Sequence, residues 1–127
     1  MARQRKGNVA RRGWTRDNTR THAEHRFAER RSWQLHRRLS SRLTRTNLEQ
    51  WKPTIERNLE RLRGRVTGEP HQSNLERWTS LVDSGDVLGL QRVLTGLDRE
   101  AIEMREVSPM TGLLSQDERR DVLSKAV

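Results

Sequence analysis

The sequence has no cysteine and no tyrosine, a single phenylalanine and three prolines. Without cysteine there is no disulfide framework, no thiolate nucleophile and no Cys-ligated zinc, a composition that suits a reducing compartment. Long apolar runs are also missing. Nothing approaches the roughly 20 residues that cross a bilayer, and the first residues lack the apolar stretch of a secretory signal. The expectation is a cytoplasmic protein with no membrane partner. Hydrophobic residues make up 31% of the 127 residues and the mean hydropathy is −1.05, so any core is modest.

Negative charge is scarce in the first half. Residues 1–65 hold 19 Lys and Arg against 6 Asp and Glu, whereas residues 66–127 hold 7 against 11. The basic residues are arginine in 23 of 26 cases, a ratio that codon usage can produce but a placement that it cannot. A local excess of that size calls for a polyanion or an acidic surface to neutralise it.

The pattern of apolar residues is helical throughout, and an all-α fold follows. Residues 1–20 have no apolar period and include Gly7 and Gly13, which reads as a flexible basic arm. Thr21 and Glu24 have the spacing of a capping box opening a long helix, with Leu35, Leu39 and Leu43 on one stripe. A second helix carries Leu48, Trp51, Ile55, Leu59, Leu62 and Val66, its regular part expected from Pro53 to Val66. Residues 21–67 are therefore expected to form a basic helical hairpin, followed by a linker at 68–72. Residues 73–127 read as an acidic module, a small bundle of short helices. Its expected N-termini are Ser73 with Glu76, Asp86, Asp98, and Ser115 with Glu118.

Within the basic half, arginines cover much of the helical face opposite the leucines. The residues expected to meet nucleic acid are Arg3, Arg5, Lys6, Arg11, Arg12 and Arg16 in the arm, and Arg30, Arg31, Arg37, Arg38, Arg42 and Arg45 on or just beyond the helix. Guanidinium groups neutralise phosphates and release counterions, and Trp14 and Trp33 are placed to stack on bases or wedge between them. No compact base-reading motif is present, so contact with a DNA or RNA backbone is expected, without a distinction between the two.

Other chemistry finds little support. His22 and His25 with Glu29 have a ligand-like spacing, but the remaining ligands would have to come from His36, His71 or another chain, and arginines crowd the position; no metal or cofactor is expected. Paired carboxylates, an activated nucleophile and a phosphate-cradling glycine loop are lacking, which argues against an enzyme. Met110, Leu113 and Leu114 look like an exposed apolar loop, a candidate surface for a protein partner or for self-association, although they would equally roof a small core. The leading expectation is a non-enzymatic nucleic-acid-binding accessory protein. The other is a regulatory or structural interaction protein, such as an antitoxin-like inhibitor, assembly factor or viral component, whose basic half meets an acidic protein surface.

Overall fold

The structure, a computed structural model, describes the backbone of residues 14–125 and the side chains of residues 23–125. Among these residues there are six α-helices and no strand: α1 Trp14–Arg42, α2 Arg45–Arg63, α3 His71–Ser84, α4 Val87–Thr95, α5 Arg99–Glu106 and α6 Gln116–Ser124. The chain divides into two units after Arg30. In the first, residues 23–30 of α1 are all exposed, as expected of a stretch without an apolar stripe. The second, from Arg31 onward, holds the core.

Helix α1 is described from Trp14 onward, so the Thr21–Glu24 pair lies inside it. No glycine or proline interrupts residues 14–42, in which eight of the 29 residues are arginine, and the helix runs on through the Thr21–Glu24 pair. The remainder of the expected arm, residues 1–13, lies outside the described residues. Helix α2 likewise starts early. Thr44 caps it by accepting from the Asn47 N–H at 3.0 Å, and Pro53 sits exposed inside the helix, where water can reach the carbonyl that it leaves without a donor. The caps at Asp86, Asp98 and Ser115 form as expected, each side chain accepting an N–H three residues on. The expected Ser73 cap does not. Backbone bonds from Gln72 to Gly68 and from Asn74 to Pro70 begin α3 at His71, and Ser73 falls in its first turn.

One core serves both the basic and the acidic helices. Leu39 and Leu43 of the first stripe and Leu48, Ile55 and Leu59 of the second pack in the same cluster as Leu75, Trp78, Val82, Leu90, Leu94 and Met104. The two stripes thus enter a core that the C-terminal helices complete. Helix α3 is its centre, packed closely against α2, α4 and α5, with α4 also on α5. Trp78 is fully enclosed and satisfies its indole N–H at the Met104 carbonyl, 2.7 Å away, so its burial carries no unpaired polar group. Each fully buried leucine or isoleucine here contributes roughly 1.5–3 kcal/mol.

The turn between α3 and α4 sets their approach. Gly85 ends α3 in the left-handed region (φ 66°), with Gly85 N–H bonded to Val82 and Asp86 N–H to Leu81. Three residues later Gly89 is buried so tightly that a Cβ there would lie 2.5 Å from Asp86 Oδ2 and 2.7 Å from Leu81 Cδ2. A Gly89→Ala substitution should therefore destabilise the fold by about 1–3 kcal/mol in chemical denaturation. Gly64→Ala, at a right-handed position with its nearest neighbour 3.7 Å away, should be neutral or slightly stabilising.

Candidate nucleic-acid interface

The arginines assigned to phosphate contact separate into distinct groups. Arg3, Arg5, Lys6, Arg11 and Arg12 lie outside the described residues, and Trp14 and Arg16 are described only as backbone in α1. In the first unit Arg26 and Arg30 are exposed, with no ion-pair partner among the described residues. In the second unit Arg31 is half-buried and engaged within the fold. Arg37 and Arg45 are exposed and face no carboxylate among the described residues.

Arg38 and Arg42 depart from the expectation of open phosphate contacts. Arg38 reaches Glu118 Oε2 at 3.2 Å and Asp121 Oδ2 at 3.3 Å, and Arg42 donates from Nε to Glu118 Oε2 at 2.8 Å and again from its terminal nitrogen. Lys125 closes the cluster at 3.3 Å from Asp121. The Arg42 hydrogen bonds, assisted by Arg38, hold the Glu118 carboxyl below the usual carboxylate range. Lys125 and then Arg38 do the same for Asp121, and Glu118 in turn raises the Arg38 guanidinium. The pairs are partly exposed, so salt weakens them.

Trp33 is also differently employed. It is half-buried, its indole N–H donates to the Thr95 carbonyl at 3.0 Å, and the Arg37 guanidinium lies 5.4 Å from its ring centre. An indole that ties α1 to the end of α4, with a cation on its ring, is no longer the open stacking platform expected of it. Further arginines that sequence reasoning did not single out are exposed on or just after α2. Arg57 and Arg61 donate to Thr54 and Asn58, Arg65 has no ion pair, and none of the three meets a carboxylate among the described residues.

The apolar loop is largely buried, not exposed as expected. Met110 is 3% exposed and belongs to the core, while Leu113 and Leu114 are half-buried against it. Asn58 explains why. Its amide donates to the carbonyls of Pro109 at 2.8 Å and Thr111 at 2.9 Å, drawing the loop down onto α2. The large apolar side chains left exposed are Phe27, Leu88 and Leu97, which are separate in sequence and need no partner to explain them.

A cleft of about 680 Å³ runs beside α1, with Leu35, His36, Leu39, Arg105, Ser108 and Arg119 among its walls. His36 is buried, 8% exposed. Its Nδ1–H donates to the Ser32 carbonyl at 2.6 Å, which leaves Nε2 to accept from the Ser108 hydroxyl at 2.7 Å. Burial, opposed by the Ser32 bond and reinforced by the Arg105 charge, lowers its pKa to about 4. So weak a base, oriented by a carbonyl, is suited to tying the 107–110 turn to α1 and poorly suited to activating a nucleophile. Among the described residues no three His, Asp or Glu side chains gather as metal ligands would, and no helix is long and apolar enough to cross a membrane.

No family model, curated protein or solved structure matches this chain. Its function has to be read from its own chemistry.

The neutral His36 has a measurable consequence. Its folded pKa lies below the ordinary 6.5, so between those values the unfolded chain binds the proton that the native one excludes, and stability falls as pH falls. Denaturant titrations should show a loss of about 2 kcal/mol between pH 7 and pH 5. His36→Gln should start less stable and lack most of this slope, and a flat wild-type profile would contradict the assignment.

Proposed function

We propose that this chain is a non-enzymatic nucleic-acid-binding accessory protein that grips the phosphate backbone of DNA or RNA with arginine side chains and acts in the cytoplasm. The observation that carries the reading is the group of exposed arginines in the basic half, Arg26, Arg30, Arg37, Arg45, Arg57 and Arg65, without an ion-pair partner among the described residues. A fold whose second half is acidic had carboxylates with which to neutralise them. It uses Glu118 and Asp121 on Arg38 and Arg42 and leaves the others without an ion pair among the described residues. Unpaired guanidiniums spread over exposed helix surface suit the repeating charge of a nucleic acid, whose condensed counterions they release. Arg3, Arg5, Lys6, Arg11, Arg12 and Arg16 add to the same positive field by their charge. The acidic helices α3–α6 are assigned to protein contact or self-association on charge alone.

One observation favours a second reading. Carboxylates already seated on Arg38 and Arg42 demonstrate that such guanidiniums accept acidic side chains, as they would on an acidic protein surface met by an inhibitor or assembly factor.

The two readings separate in a salt titration. Affinity for a short DNA or RNA duplex should fall linearly with log salt, at about 0.9 log units per B-DNA phosphate neutralised. Replacing Arg30, Arg37 and Arg45 together with Gln should flatten the slope by up to about three such increments while helix content by circular dichroism holds. Absence of duplex binding in dilute buffer, or a slope that the triple substitution leaves unchanged, would overturn the nucleic-acid reading.

A further inference from the structure

Helix α6 is the least embedded helix of the second unit. It buries one side chain, Val122, whereas α3 buries Asn74, Leu75, Trp78 and Val82, and α4 and α5 three residues each. It makes no close packing of the kind that joins α2 to α5 around α3. Open space borders it on two sides. The His36 cleft reaches it at Gln116 and Arg119, and a groove of about 200 Å³ separates it from α1 at Gln34, Arg37, Arg38, Ser41, Val122 and Lys125. What fastens α6 to α1 is mainly charge, through Glu118 on Arg38 and Arg42 and Asp121 on Arg38.

We propose that α6 is an intramolecular competitor for the phosphate-binding surface: its Glu118 and Asp121 carboxylates occupy the Arg38 and Arg42 guanidiniums that a nucleic-acid backbone would otherwise engage. This rests on the reading of the chain as a phosphate-backbone binder. Carboxylate and phosphate oxygens satisfy the same planar guanidinium fork, so the two ligands exclude each other at these residues. A helix with one buried anchor and salt-screened pairs opens at low cost, and the polyanion is the stronger ligand once counterion release is included. The free chain therefore binds with its peripheral arginines first. Full engagement requires α6 to leave α1, which discriminates against small or weakly charged anions that cannot offset the lost pairs.

The test compares duplex DNA binding by the full chain and by Glu118→Gln/Asp121→Asn. The competitor account predicts affinity about tenfold tighter, because the variant no longer has to break the pairs of Glu118 and Asp121 before Arg38 and Arg42 meet phosphate. Removing two negative charges tightens binding wherever they lie, so Glu76→Gln/Asp83→Asn, exposed on α3 and without an ion pair among the described residues, serves as the control. A gain equal to the control's overturns the inference and leaves the nucleic-acid reading standing; no binding by any of the three chains removes that reading itself. Hydrogen exchange on the wild-type chain gives an answer that does not depend on the variant folding. Amides of α6 should exchange faster when saturating duplex is present while those of α3 do not, and unchanged or increased protection of α6 contradicts the inference.

Discussion

Burial of Leu39 and Leu43 in a core shared with the acidic helices is the constraint on which the rest of the second unit depends. An arginine-rich helix with one apolar stripe cannot rotate once that stripe is enclosed, so every other side chain on its last turns has a fixed direction. His36 lies on the enclosed side and must be neutral and fully bonded there, which Ser32 and Ser108 arrange. Trp33 reaches the end of α4, and Arg38 and Arg42 reach α6. Arg37 lies exposed over the Trp33 ring. The sorting of the arginines follows from the packing of two leucines.

The electrostatic organisation is layered on that packing and does not replace it. Net charge of +9 on 127 residues disfavours compactness through self-repulsion, and ion pairs among the described residues relieve part of it. Among the ion pairs of the described residues, those of Arg38 and Arg42 join α1 to α6, which buries only Val122, and Arg77–Glu100 joins α3 to α5. Those same contacts lower the number of guanidiniums available to an outside anion. An outside anion would have to compete with these pairs at Arg38 and Arg42 but not at Arg45, Arg57 and Arg65, which have no ion pair among the described residues.

Much of this was legible in the sequence, for a physical reason. Helix caps and apolar periods are local signals, and Asp86, Asp98 and Ser115 act within three residues of where they stand. The apolar stripes at Leu39 and Leu43 and at Leu48, Ile55 and Leu59 were equally clear. What the chain's local order could not reveal was which arginines meet carboxylates some 80 residues away, since no spacing rule links Arg38 to Glu118 or Asp121. Asn58, polar and buried, gave no sign that it would draw the Met110 loop into the core.

The claim that a polyanion is the natural counterpart of the basic half is tested most directly on the protein as it comes from the cell. Freshly purified full-length chain, prepared in dilute buffer, should carry nucleic acid, with an absorbance ratio at 260 over 280 nm well above that of its four tryptophans alone. Nuclease followed by strong salt should remove that absorbance and leave a folded protein that takes up added DNA or RNA. A preparation free of nucleic acid from the outset, and indifferent to both when they are added in dilute buffer, would contradict the account.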